Sequence, residues 1–448
     1  MTAATNLPTR DRDGLWGSRE RYGGFRVRRH PRADAPPYDV DDGSYRRFDA
    51  KHSGFSRMHW DDDLRERIAL RERSFREVIA TNKRGYRRED YALMGASWTV
   101  ANAFQTGSSE HGDHRGLLRL DSFFSYPGPT AFEGPWDRDH LSDGDISRMV
   151  KKAGRFLGAS LVGIAPLDER WLYSHYCDYN RNGERGAIQL VPRESAPADG
   201  TAAPGYEDDG TLVIPETMNH VVVLAFEMDL EAISAYPSAV GGAATGAGYS
   251  QMATTTSSLA EFIRGLGFHA IPCANNTGLS VPMAIDAGLG ELGRQGILIT
   301  PKYGPRVRLA KIITDLPLEP DRPISFGVTE FCDVCMKCAH HCPGQAISYD
   351  QRQREPLSIS NNGSVLKWPI RVDRCLEVWK RYGFTDCGNC IRCCPFNKAE
   401  GWLHDAARAI IRGRSRPTDR LLLKLDDLLR YGLRVDPERF WGKRKGPR

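Results

Sequence analysis

The chain has 448 residues, of which 40% are hydrophobic and 27% charged, and its formal net charge is +5. These proportions suit a globular protein of two or three domains and exclude a disordered, collagen-like or polycationic chain. No apolar run reaches the ~18 residues of a membrane-spanning helix.

Residues 1 to about 60 are rich in Arg, Asp, Gly and Pro, show no clear periodicity, and are expected to wrap irregularly. Twin arginines occur at Arg28-Arg29 and in SYRRFDAK (44–51). The second resembles a twin-arginine export signal, but HSGFSRMHWDDD follows it, with no apolar stretch and no small-residue cleavage site. The chain therefore reads as cytoplasmic. DDDLRERIALRERSFREVI (61–79) reads as one exposed helix, and residues 1–141 as an N-terminal irregular and helical wrapping region.

A regular core is expected over 142–325. SDGDISRMVKKAGRFLGA places Ile146, Met149, Val150, Ala153, Phe156 and Leu157 on one helical stripe behind an Asp/Ser start signal. SLVGIAPL (160–167) reads as a buried strand, 193–211 as a polar insertion or surface loop, and HVVVLAFEMD (220–229) as the strongest strand of the chain. Leu259, Phe262, Ile263 and Leu266 share a helical face, with Gly267 as a C-terminal stop. Ahead of them, GGAATGAG (241–248) permits close backbone approach or forms a flexible loop, and Tyr249 opens the helix after these glycines. HAIPC, GILIT and RVRLAKIITDL (306–316) are further strands, with Arg306 and Arg308 on one face and Val307 and Leu309 on the other. This order of elements points to an α+β or α/β layer around one sheet. A cysteine-rich segment (326–400) and a helical tail (401–448, with RLLLKLDDLLRYG) complete the chain. The basic stretches RAIIRGRSRPTDR and GKRKGPR read first as a solvated face and a frayed tail, with contact to an acidic partner as the alternative.

Of the 11 cysteines, nine fall between Cys332 and Cys394. Such clustering in a long chain points to metal, not to disulfides. Cys332-x2-Cys335-x2-Cys338-x3-Cys342-Pro343 has the spacing of a bacterial ferredoxin [4Fe–4S] run, whose fourth thiolate reaches the other cluster. The second motif is looser: Cys375, then Cys387-x2-Cys390-x3-Cys394-Pro395. Crossing the fourth ligands gives one site of Cys332, Cys335, Cys338 and Cys394 and another of Cys342, Cys375, Cys387 and Cys390. Cys393 is left over as a packed free thiol. Zinc, the competing metal, uses paired C-x2-C knuckles instead. Two clusters in one domain make a wire, so something else in the chain must receive electrons. Gly288, Gly290 and Gly293 match G-x-G-x-x-G, but they follow AIDA instead of a strand and lack the downstream acidic residue, so they read as a chance match.

GAGYSQMA (246–253), AIPCANNTGLSVPMAIDAGLGELGR (270–294), YGPRVRLAKIITDLPL (303–318), FGVTEFCDVCMKCAHHCP (326–343) and CGNCIRCCPFNK (387–398) together resemble the corrinoid-dependent reductive dehalogenases. The resemblance runs from about 145 to 432, with weaker echoes in DYALMGASWTVANAF (90–104). It implies a nitroreductase-like α/β core holding a base-off corrinoid (cobalamin), fed by two [4Fe–4S] clusters, for the reaction R–X + 2e⁻ + H⁺ → R–H + X⁻. GDHRG (112–116) does not fit the D-x-H-x-x-G ligand motif of other corrinoid proteins, in keeping with base-off binding. The resemblance assigns Tyr249 as proton donor, with Asn275 and Arg308 in the same pocket. Asn276 is an equal candidate to Asn275 by chemistry alone. A phenol with a pKa near ~10 needs its anion favoured before it donates easily, and a guanidinium does that. The corrinoid surroundings are expected to draw on Gly248, Thr277, Ser280, Gly304 and Arg306. An organohalide substrate and an external electron donor (a ferredoxin, flavodoxin or reductase) are implied, with no nucleic acid and with oligomeric state open. Two alternatives stand beside this reading. One is an epoxyqueuosine-reductase-like enzyme acting on tRNA, which uses an aspartate where this chain reads CANNTG and usually adds helical repeats. The other is a non-enzymatic iron–sulfur carrier.

Overall fold

HVVVLAFE, residues 220–227, has six consecutive apolar side chains, and all six are buried. A strand reads that way when both faces of its sheet are covered. In a computed structural model of the chain, described over residues 22, 27–33, 37–106, 136–178, 184–191, 204–383, 386–413 and 415–442, this strand lies inside a four-stranded sheet. In chain order the elements around it are α1 (Arg88–Thr106), α2 (Asp143–Phe156), β1 (Leu161–Pro166), β2 (His220–Glu227), α3 (Ala239–Gly265), β3 (Ala270–Cys273), α4 (Ser280–Asp286) and β4 (Val307–Thr314). The sheet order is β1-β2-β4-β3 with every neighbour antiparallel. Ile146 and Val150 of α2 and Met252, Leu259 and Ile263 of α3 cover one face, against Val162, Ile164, Val222, Leu224, Ala310 and Ile312. Met283, Ala284 and Ile285 of α4, with Trp171 and Leu172, cover the other, against Leu161, Val221, Val223, Ile271, Leu309 and Ile313. The expected mixed helix-and-sheet core is present.

Helix α3 runs 27 residues and includes the whole glycine-rich stretch, so that stretch is not a loop and Tyr249 does not open a helix. Ser238 caps the helix by accepting from Gly241 N at 3.1 Å, which satisfies an otherwise orphaned donor. The small residues let neighbours come close. A Cβ on Gly246 would stand 2.5 Å from Trp98 Cδ1 of α1, and one on Gly241 would stand 2.5 Å from the Tyr236 ring. The other edge of that ring meets Gly388, where a Cβ would lie 2.1 Å away and where φ is +57°. Tyr236 is thus held between α3 and the cysteine-rich segment.

That segment carries α5 (Val328–Cys335), α6 (Lys337–His340), α7 (Val372–Arg381) and α8 (Asn389–Arg392), and the chain continues into α9 (Trp402–Ile411) and α10 (Arg416–Leu428). Buried arginines tie it to the core. Arg294 donates to Cys332 O at 3.0 Å and Ser348 O at 2.8 Å. Arg306 donates to Glu227 at 2.9 Å and to Lys398 O at 2.8 Å. Asp426 of α10 takes Lys337 and Lys398, each at 2.6 Å.

Several expectations need correction. Residues 61–79 form two helices, Asp62–Ala69 and Phe75–Ala80, because Ser74 and Glu77 make a capping box that starts the second afresh. They are not wholly exposed: Leu64 and Ile68 pack on Leu376 of α7. Phe156 leaves the buried stripe of α2 and is 86% exposed. Gly290 and Gly293 flank a small hairpin (Glu291–Leu292 with Leu298–Ile299), in keeping with a chance match to G-x-G-x-x-G. Arg28-Arg29 pairs antiparallel with Ile324-Ser325, and Arg47 donates to Tyr173 O at 2.6 Å and Ile188 O at 2.8 Å. Most of the polar insertion, GDHRG (112–116) and the last basic stretch lie outside the described residues. No helix among the described residues is long and apolar enough to cross a membrane.

Gly241→Val would drive a branched side chain into the Tyr236 ring, and overpacking of this kind costs about 1–3 kcal/mol. Gly265→Ala, with nothing within 4 Å of the new Cβ, should instead stabilise by roughly 0.5–1 kcal/mol, since alanine is the better helix former. Denaturant midpoints that move the same way for both variants would contradict the packing described for α3.

Candidate functional site

Thr245, Tyr249 and Ala253 stand four residues apart on α3, and so share one face of it. That face walls a cavity of about 710 Å³. Trp98 of α1 stacks on Tyr249, with ring centroids 4.9 Å apart and planes at 25°. Asn275, in the loop after β3, donates from Nδ2 to Tyr249 Oη at 2.8 Å. Asn276 turns inward instead, and its Oδ1 accepts from Ala274 N at 2.8 Å. The loop's sharp turn places Thr277 at φ +70°. The two asparagines, alike in chemistry, are thus separated by geometry: one meets the phenol and the other shapes the turn.

Arg308, near the start of β4, completes the group. Its Cζ lies 5.0 Å over the Tyr249 ring and its Nη2 donates to Thr245 Oγ1 at 2.9 Å. Asp386 Oδ2 is 3.9 Å from the same Nη2. Burial works against the guanidinium's charge, but Tyr249 and Asp386 raise its pKa on balance, so it stays cationic. Burial raises the pKa of the Asp386 carboxyl against the pull of Arg308 and Thr245. Burial likewise holds the Tyr236 phenol, bonded to Thr245, well above its ordinary range, so it remains protonated.

A buried lysine lies under this loop. Lys311 of β4 is fully enclosed, and its Nζ donates to Ala274 O at 2.7 Å and Ser280 Oγ at 3.1 Å. Burial lowers its pKa to about 8. It pins both ends of the loop that presents Asn275.

Of the residues expected around a corrinoid, Thr277 and Ser280 line the cavity, while Gly248, Gly304 and Arg306 stand elsewhere. Gly248 is small to admit the Arg308 side chain, whose Cγ would be 3.0 Å from a Cβ there. Gly304, at φ +57°, lies against Phe396 O. Arg306 is committed to Glu227 and Lys398. Four cavity-lining residues carry buried polar atoms with no hydrogen-bond partner: Thr277 Oγ1, Arg308 Nε, Trp368 Nε1 and Asp386 Oδ2. Such atoms cost free energy unless a ligand meets them. A large ring fringed with amides, as a corrinoid is, fits a wall of that chemistry.

The cysteines lie close enough to one another to shift one another's thiol pKa values. Burial, and then Cys332, raises the pKa of the Cys394 thiol. Cys375 is pushed up to about 12 by burial, then by Cys387 and Cys342. Cys332 and Cys387 are each pushed up to about 11, burial being the main cause. Thiolates so enclosed repel one another unless iron balances their charge. Among the described residues no three His, Cys, Asp or Glu side chains converge as around a single ion; a cube spreads its ligands over separate iron corners. Cys393 is fully buried, with Sγ 3.9 Å from Cys390 O. Val372 and Trp379 of α7, and Asp386 beside Cys387, line the cavity, so the second cysteine group stands next to it.

Asp386, Thr245, Trp98 and Lys311 were not singled out from sequence. Thr245 could have been found one helical turn before Tyr249, and Asp386 as the acid directly before Cys387. Lys311 interrupts an apolar strand and was visible as a charge in a buried run.

Residues 197–318 match the family described as "Reductive dehalogenase subunit". The chain is 44% identical over 278 residues to a tetrachloroethene reductive dehalogenase of Dehalobacter restrictus, covering 59% of this chain and 50% of that one. To the tetrachloroethene reductive dehalogenase of Sulfurospirillum multivorans it is 38% identical over 303 residues, covering 66% of this chain and 59% of that one. The chain thus spans about half the length of the curated relatives it matches. The resemblance read from the sequence is borne out. Similarity to an epoxyqueuosine reductase of Lactococcus garvieae is confined to 122 residues at 30% identity, covering 27% of this chain and 32% of that one. In fold, the chain is similar to the solved structure of the catabolic reductive dehalogenase NpRdhA, with a TM-score of 0.62 at 20% identity over 93% of this chain and 50% of that one.

Lys311→Met should reveal the buried ammonium by its pH dependence. With a folded-state pKa of about 8 against 10.5, the unfolded chain binds the extra proton between those values, so Lys311 makes stability rise across that window. The variant should lack this rise, measured as unfolding free energy at pH 8 and pH 10.5. Equal slopes in variant and parent would mean that Lys311 is hydrated.

Proposed function

We propose that this chain removes halide from an organohalide by reduction, R–X + 2e⁻ + H⁺ → R–H + X⁻, with a base-off corrinoid in the cavity beside Tyr249 and two [4Fe–4S] clusters feeding it. Cys332, Cys335, Cys338 and Cys394 would hold one cluster, and Cys342, Cys375, Cys387 and Cys390 the other. The observation that carries this reading is one juxtaposition. A tyrosine, an asparagine and a half-buried arginine meet on one wall of a large cavity, and elements carrying Cys375 and Cys387 form another wall. Similarity to enzymes named tetrachloroethene reductive dehalogenases supports it. When bound, the corrinoid supplies a low-valent cobalt that breaks the carbon–halogen bond.

The chain's own residues handle the proton and the charge. Tyr249 Oη accepts from Asn275 Nδ2, which leaves its own O–H to point into the cavity. There it serves as general acid toward the carbon losing halide. The phenolate that remains keeps the Asn275 hydrogen bond and lies under the Arg308 guanidinium. A cation over an aromatic face contributes ~0.5–2 kcal/mol even before the ring is charged. Thr245 and Asp386 fix that guanidinium from the other side. Trp98, Phe48 and Trp379 line the cavity with apolar rings, which exclude water and strengthen these interactions. A separate ferredoxin, flavodoxin or reductase would supply electrons. The tRNA-acting alternative calls for an aspartate in the stretch where this chain reads CANNTG.

Protein reconstituted anaerobically with cobalamin should show a base-off Co(II) EPR signal beside iron–sulfur signals; failure to take up corrinoid would end the enzymatic reading. Tyr249→Phe should keep both cofactors and lose ~10²–10⁴-fold in halide release, the usual contribution of a general acid. Undiminished turnover would remove Tyr249 from that role. For the ligand sets, Cys375→Ala should lose about half of the bound iron and Cys393→Ala none, as measured by iron content. The reverse pattern would reassign the second cluster.

A further inference from the structure

Helix α10 has two different halves. Leu422 and Leu423 point inward and pack with the residues around Cys332, Cys335 and Cys394. Asp426 is buried beside them on Lys337 and Lys398. The outer half carries two stripes. At roughly 100° per residue, Arg416, Arg420 and Lys424 fall on one arc and Leu421, Leu425 and Leu428 on the next. All six are exposed, Leu428 at 75%. None of the three cations has an ion pair among the described residues. The helix's acids offer them little: Asp419 is buried, Asp426 is taken, and Asp427, on the cationic arc, is held by Lys337 at 2.8 Å.

An unneutralised cationic stripe beside exposed leucines marks a surface for an acidic partner with an apolar patch. Its position says more. The helix packs against the cluster that contains Cys332 and Cys394, with Cys335 only partly buried beside it. Electron tunnelling falls steeply with distance, so a donor must dock where a cluster is close to the surface. Redox encounters of this kind are small and weak and rely on charge for speed.

We propose that the outer face of α10 is the docking surface for an acidic one-electron carrier protein, which reduces the cluster held by Cys332, Cys335, Cys338 and Cys394. This rests on the two-cluster reading above. In each encounter the carrier is oxidised by one electron and the cluster reduced by one; two encounters supply the two electrons consumed per halide released.

The test uses the full chain with its iron–sulfur clusters reconstituted, comparing the parent with an Arg416→Gln, Arg420→Gln, Lys424→Gln variant. Bleaching of the cluster absorbance is followed in a stopped-flow instrument, with either reduced plant-type [2Fe–2S] ferredoxin, an acidic carrier, or reduced methyl viologen. The variant should be reduced by ferredoxin at least tenfold more slowly at low salt, should lose most of the salt dependence, and should react with viologen as the parent does. Equal ferredoxin rates would overturn the proposal, as would an equal fall with viologen, or a parent that ferredoxin does not reduce at all. Binding of the parent, but not the variant, to phosphatidylglycerol–phosphatidylethanolamine vesicles with unchanged ferredoxin rates would assign the face to a lipid surface instead. Halide is not measured, so a protein that releases none yet discriminates between the reductants would keep this docking surface and lose only the dehalogenase reading.

Discussion

Burying a guanidinium without partners is prohibitively costly, and the arrangement around Arg308 answers that cost. Its charge sits between the Tyr249 ring, the Thr245 hydroxyl and the Asp386 carboxylate. Those groups come from α3 and from the segment that leads into Cys387. The central strand β4 delivers the arginine, and its neighbours β2 and β3 fix the register that does so. One half-buried charge therefore ties the sheet, the long helix and the cysteine-rich segment to a single geometry. The same charge gives the cavity its polarity next to the phenol.

The glycines of α3 serve that geometry. Their missing side chains let Trp98 stack on Tyr249, let Arg308 pass beside Gly248, and let the Tyr236 ring fit between Gly241 and Gly388. Tyr236 then bonds Thr245, which bonds Arg308. A chain of contacts runs from the edge of the cysteine segment to the phenol, with small residues making room at each step. Below it, Lys311 fixes the loop of Asn275 from inside the core.

The sheet and its helices could be read from the sequence, because a strand covered on both faces, such as 220–227, and an amphipathic helix, such as 143–156, announce themselves by period and composition. The clustering of nine cysteines between Cys332 and Cys394 is plain in the sequence. The first half of helix α3 could not be read this way, since glycine and alanine carry no hydrophobic period and glycine is a poor helix former; tertiary packing against α1 and the sheet decides it, while the face of Leu259, Phe262 and Ile263 was legible. The break at Ser74 was written in a capping box but hidden by the charge on both sides. Within the site, Tyr249, Asn275 and Arg308 came from resemblance, and the structure brings them together. Gly248, Gly304 and Arg306 were near in sequence but are used for packing and for docking the cysteine segment. Thr245 and Asp386 were within reach as neighbours of Tyr249 and Cys387, but their meeting at Arg308 joins segments distant in sequence.

Asp426 bridges the two cysteine runs. Its two oxygens each hold a lysine, one from between Cys335 and Cys338 and one from just after Cys394. Each lysine meets a different oxygen of the carboxylate, so the seating of α10 depends on both cysteine runs lying side by side. One acidic side chain thus spans both cysteine runs, and removing it would leave two buried ammonium groups without that carboxylate.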